Sequence, residues 1–132
     1  MSNKCRTFTM RTKIWIEDDA GKVVFGAGRF SILKAVAEHG SLSAAAKALG
    51  MSYRGVWGKI RATEDRLGKQ LLQKQSGGIR GGGSELTPFA DNLLKSYNQL
   101  QSKIRAKADS FFRDVFVDKL AEKKVHRRNK HD

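Results

Sequence analysis

With 132 residues, the chain is long enough for one compact domain that buries roughly two thirds of its unfolded surface, so it needs no staple of disulfides or metal. Its 26 lysines and arginines stand against 13 acidic residues, and the formal charge of +13 with a pI near 10.2 points to a polyanionic partner. The single cysteine, Cys5, excludes an internal disulfide and suits a reducing cytoplasm; with the scattered His39, His126 and His131 it shows no zinc-ligand spacing, and no apolar run approaches the ~18 residues of a membrane span.

Residues 1–11 carry neither a secretion signal nor a periodic pattern and are expected to be a flexible N-terminus. From Thr12, "RTKIWIEDDAGKVVFG" reads as a β-hairpin: Ile14 and Ile16 alternate with Lys13 and Trp15, and Asp18 to Gly21 supplies turn chemistry. "GRFSILKAVAEHG" then places Phe30, Leu33, Val36 and Ala37 at helical spacing, ended by Gly40. In "SLSAAAKALG", Ser41 is a plausible N-cap, the alanines favour helix, and Gly50 stops it after about two turns.

A further helix, "MSYRGVWGKIRATEDRLG", carries Val56, Ile60, Thr63 and Leu67 as one narrow apolar stripe. The opposite face holds Arg54, Gly58, Arg61 and Asp65. "QLLQKQ" and "SELT" bracket a glycine-rich stretch as two short strands, which brings the globular part to 87. Thr87 and Pro88 read as the N-cap and first residue of a final helix over 88–118. Its stripe of Leu93, Tyr97, Leu100, Ile104, Ala108, Phe111 and Val115 is a helix-pairing pattern, read as a dimer seam; a helix folded back on its own domain is the alternative. Residues 119–132 are basic, lack a stripe and are expected to be disordered.

A short alanine-rich helix, a glycine turn and a longer helix with basic residues outside make a helix-turn-helix, and the strand–glycine tip–strand that follows adds a wing. The tip is no phosphate-binding loop of an NTPase. From Gly77 to Ser84 it reads G-G-I-R-G-G-G-S, so Gly83 stands where the catalytic lysine belongs, and the stretch precedes a strand rather than a helix. As a wing tip it leaves Arg80 as the one side chain long enough to reach into DNA.

"GSLSAAAKALGMSYRGVWGKI" together with "GGIRGGGSELT" resembles the N-terminal DNA-binding domain of the molybdate-responsive ModE regulators and, more broadly, the LysR-type winged helix-turn-helix. The likeness runs from about Thr12 to about Leu100. It implies an α+β winged-helix fold with an N-terminal hairpin and a long C-terminal dimerisation helix, working as a homodimeric transcription regulator on double-stranded DNA in bacteria or archaea. Full-length members continue into a pair of molybdate-binding domains, for which the residues after Leu100 are too few. The resemblance is therefore to a stand-alone DNA-binding member, and oxyanion sensing does not carry over. A nucleoid-type protein coating DNA without sequence choice, or a module docking an acidic protein, are the alternatives.

The expected DNA contacts are Ser41, Ser43, Ser52, Tyr53, Arg54, Trp57, Gly58 and Arg61 from the two helices, with Arg80 from the wing. Ser41 serves equally as a plain cap. Tyr53 and Trp57, flanking the stripe, are expected to be partly core with polar tips toward the sugar–phosphate edge. Gly55 and Gly58 weaken a helix by roughly 1 kcal/mol each relative to alanine, offset either by close helix packing or by close approach to DNA. The expected dimer contacts are Leu93, Tyr97, Leu100, Ile104 and Phe111. No catalytic group, metal, cofactor or small-molecule ligand is expected.

Overall fold

A computed structural model describes residues 8–75, 83–117 and 119. Lys13–Gln99 form one compact unit, and the residues before and after it group as a second.

In the first unit, β1 (Trp15–Glu17) and β2 (Val23–Gly26) make an antiparallel hairpin. The Asp18 carboxylate closes its turn by accepting from the amides of Lys22 and Ala20, both at 2.9 Å. The Lys22 hydrogen bond is the main force holding that carboxyl below the usual carboxylate range. The register slips by one residue between Ile16 and Glu17, leaving Val24 as the extra residue of β2.

Helix α1 (Ala27–His39) buries Ile32, Leu33, Ala35 and Val36. Ala37, expected on the inner face, is exposed instead. The hairpin and the next helices cover α1 from two sides, so its buried arc centres on Ile32 and Val36 rather than on a stripe through Phe30 and Ala37.

Ser41 caps α2 (Leu42–Leu49) by accepting from the Ala44 amide at 3.0 Å. Ala45 and Ala46 are buried there, which lets α2 lie close to α1 and α3 (Tyr53–Leu67). The joint between α2 and α3 turns at Gly50, whose φ of +67° suits a residue without Cβ. The stripe on α3 falls where the periodicity puts it: Val56, Ile60 and Thr63 are buried, and Leu67 is half-buried.

The wing pairs β3 (Leu72–Lys74) with β4 (Ser84–Leu86), antiparallel, Leu72 opposite Leu86. One more bond, from the Gln75 amide to the Gly83 carbonyl at 3.1 Å, extends the ladder toward the tip. The Ser84 amide donates to the Gly40 carbonyl at 2.9 Å, fastening the wing to the joint between α1 and α2. A Cβ on Gly83 would come 2.9 Å from that carbonyl, so this strand end approaches closely enough to require glycine. Arg80 and the rest of 76–82 lie outside the described residues.

Thr87 caps α4 (Pro88–Phe112): its hydroxyl accepts from the Ala90 amide at 3.1 Å and donates to the Gln70 carbonyl at 2.7 Å. The first part of α4 belongs to the domain core, which runs on to Gln99 rather than ending at 87. Tyr97, read from the sequence as a seam residue, is 2 % exposed within its own chain. Its ring sits edge-on to Phe25 at 5.1 Å and against Phe30 at 5.4 Å, and its hydroxyl donates to the Ile14 carbonyl at 2.9 Å. Leu93 is half-buried against the same core. These two residues are thus occupied within their own domain.

In the second unit, α4 continues and widens into a π-helical turn, Arg113–Val117. Leu100, Phe111, Val115 and Phe116 are exposed, whereas Ile104 and Ala108 are half-buried.

Candidate DNA interface

Helix α3 presents its outer face to solvent while its inner face is fastened by hydrogen bonds as well as by the apolar stripe. The buried Thr63 hydroxyl donates to the Val24 carbonyl, the spare residue of the hairpin bulge, at 2.7 Å. The Glu64 carboxylate accepts from the amides of Leu71 at 2.8 Å and Leu72 at 3.4 Å, joining the end of α3 to the base of the wing. Arg66 donates to the Val23 carbonyl, and Arg29 Nε to the Lys59 carbonyl at 3.4 Å. Burial, and then the nearby Arg66 charge, lower the pKa of the Arg29 guanidinium. Reasoning from sequence passed over Glu64 and Arg29, because their partners are backbone groups that no residue spacing reveals.

Of the expected contact residues, Ser52, Tyr53, Arg54, Trp57, Gly58 and Arg61 all lie on exposed parts of α3 or at its start. Ser52 caps α3 by accepting from the Gly55 amide at 3.0 Å. Arg54 stands in the first turn; Arg61 lies further along and approaches Asp65 at 4.0 Å, an exposed pair of little energetic weight. Tyr53 and Trp57 are 54 % and 49 % exposed, so the expectation that they are partly core does not hold. The strip of α3 that packs into or against the apolar core runs through Val56, Ile60 and Leu67 and does not include them. The two helix glycines also part company. A Cβ on Gly55 would crowd the capping Ser52 hydroxyl at 3.0 Å, whereas one on Gly58 would meet nothing within 4 Å.

At the start of α2, Ser41 is half-buried and engaged as a cap, and Ser43 is exposed. Lys47 and Lys59 add exposed positive charge on α2 and α3. The described part of the site is thus a basic helix face with exposed aromatic rings, which suits phosphate and base-edge contact in a major groove.

Residues 28–91 match the family model described as bacterial regulatory helix-turn-helix protein, lysR family. The molybdenum-pterin-binding protein MopB of Rhodobacter capsulatus is 32% identical over 93 residues, which cover 70% of this chain and 34% of that protein. The DNA-binding transcriptional dual regulator ModE of Escherichia coli K12 is 36% identical over 80 residues, 61% of this chain and 30% of that protein. The chain spans about a third of the length of these curated relatives. Among solved structures, the CbnR DBD–DNA complex superposes with a TM-score of 0.50 at 28% identity, covering 63% of this chain and 90% of that one. Residues 28–91 form a LysR-type helix-turn-helix domain.

In this LysR-type domain, α2 and α3 are the helix-turn-helix and β3–β4 the wing. The resemblance to ModE regulators read from "SAAAKALGMSY" is matched by relatives of that name. Domains of the LysR type are the DNA-binding modules of transcription regulators. No helix among the described residues is long and apolar enough to cross a membrane.

Proposed function

We propose that the protein is a sequence-specific DNA-binding transcription regulator, a binding protein rather than an enzyme, which acts as a homodimer in the cytoplasm of a bacterium or archaeon. The observation that carries this reading is the outer face of α3, where Arg54, Trp57 and Arg61 stand exposed on a helix fastened from behind at Thr63, Glu64 and Arg66. A helix held this way meets DNA already ordered, so little conformational entropy is lost on binding. The exposed apolar residues of α4 beyond Gln99 support the dimer, which would place two recognition helices in successive major grooves about 34 Å apart. Arg80, on the glycine-rich tip, is assigned to an adjacent minor groove, where groove width rather than base identity is read.

Two measurements test the reading. Affinity for duplex DNA should fall steeply with salt, with a log–log slope of about −4 or steeper for several neutralised phosphates per dimer. Affinity that stays flat from low to moderate salt would remove DNA as the partner, and equal affinity for selected and random duplexes would remove sequence choice. The second measurement concerns Arg54, in the first turn of α3. Arg54→Ala should cost ~1–3 kcal/mol on the selected site and relax preference at one base-pair position. A uniform loss across all sequences would make Arg54 a phosphate contact instead.

A further inference from the structure

Gly58 occupies the middle of the recognition helix, within about 10° of the point opposite the buried stripe. Glycine there weakens the helix relative to alanine. Nothing among the described residues requires it: a Cβ at Gly58 would meet none of their atoms within 4 Å, and its backbone is right-handed like the rest of α3. The outward face of α3 therefore runs from Arg54 over bare backbone to Arg61 and Asp65.

We infer that this gap is a seat for a thymine methyl group, and that Gly58 sets a preference for thymine at one position of each half-site. The inference rests on the DNA reading above. Its chemistry follows from what the gap lacks. It offers no side-chain donor or acceptor, so it cannot read the N7, O6, N6, N4 or O4 positions that distinguish bases by hydrogen bonding. The one base-edge group in the major groove that is recognised without a hydrogen bond is the C5-methyl of thymine. Bare Cα there, open on the exposed face between Arg54 and Arg61, is apolar and recessed by the depth of a side chain. A methyl group fits there only while position 58 has none of its own.

Adding that methyl group to the protein should have two opposite effects. Gly58→Ala fills open solvent and improves helix propensity, so its Tm should rise by about 4 °C. The same change should weaken the selected DNA site. The decisive experiment replaces each thymine of that site in turn by deoxyuridine, which deletes only the methyl, and titrates wild type and Gly58→Ala by fluorescence. For the wild type, one replacement per half-site should weaken binding by about fourfold, the worth of one buried methyl. Gly58→Ala should bind the thymine site no more tightly than the wild type binds the uracil version, and should be indifferent to that methyl. A wild type insensitive to every uracil would overturn the inference while leaving the DNA reading standing. So would a Gly58→Ala protein with wild-type affinity and the same uracil profile. A wild type that selects no sequence from a random pool would overturn both.

Discussion

Replacing Leu100 and Phe111 together by aspartate should give a folded monomer that holds duplex DNA at least about 100-fold more weakly than the wild type. The two side chains are 42 % and 60 % exposed on α4, and neither belongs to the apolar core of the described residues. Across a dimer seam, however, it would bury unpaired carboxylates, whose desolvation nothing there offsets. Once the protomers separate, each recognition helix binds alone and the gain from tethering two half-sites is lost, commonly a factor of about 10²–10⁴. Sedimentation equilibrium gives the mass, circular dichroism the fold and a fluorescent-DNA titration the affinity. A wild type that sediments as a monomer at micromolar concentration, or a variant that stays dimeric, would rule out this seam.

Tyr97→Ala should fail in a different way. Tyr97 stands less than one helical turn before the exposed Leu100, yet its ring is sealed against Phe25 and Phe30. Truncation should destabilise the domain by about 3–5 kcal/mol, a large share of the stability of a domain this size. DNA binding would then be lost through unfolding rather than dissociation. Tyr97→Phe keeps the ring and removes the bond to the Ile14 carbonyl, for about 1 kcal/mol. Urea unfolding followed by tryptophan fluorescence measures both. A Tyr97→Ala protein with an unchanged midpoint but monomeric mass would return Tyr97 to the seam.

That difference shows where the sequence was legible. The spacing of four, three and four along α4 is the same whether the facing surface is the chain's own core or another copy, so nothing between Leu93 and Leu100 marks the change. On α3, by contrast, the period alone located Val56, Ile60 and Thr63 correctly, because one face is covered and the other is not. Ser41 and Thr87 were legible as caps, since a hydroxyl three residues before an amide is a local arrangement; the Ser52 cap was not read. The bonds from Thr63, Glu64 and Arg66 to distant backbone were not, for each depends on how the chain returns. Tyr53 and Trp57 were misjudged because large aromatic rings are usually covered, whereas these two stand about half exposed beside the core stripe.

The fastening of the wing has a consequence for how such a protein can change over generations. β3 is pinned at its base to Glu64, β4 at its tip-side end to the Gly40 carbonyl, and the two strands are tied there again where Gln75 meets Gly83. Residues inserted or exchanged between those two positions enlarge a loop that is already closed, and doubling its length costs only about 0.6 kcal/mol. The helix-turn-helix would not register the change. With flank reading proposed for the tip and core reading for α3, preference for flanking DNA would drift while the core motif is inherited intact.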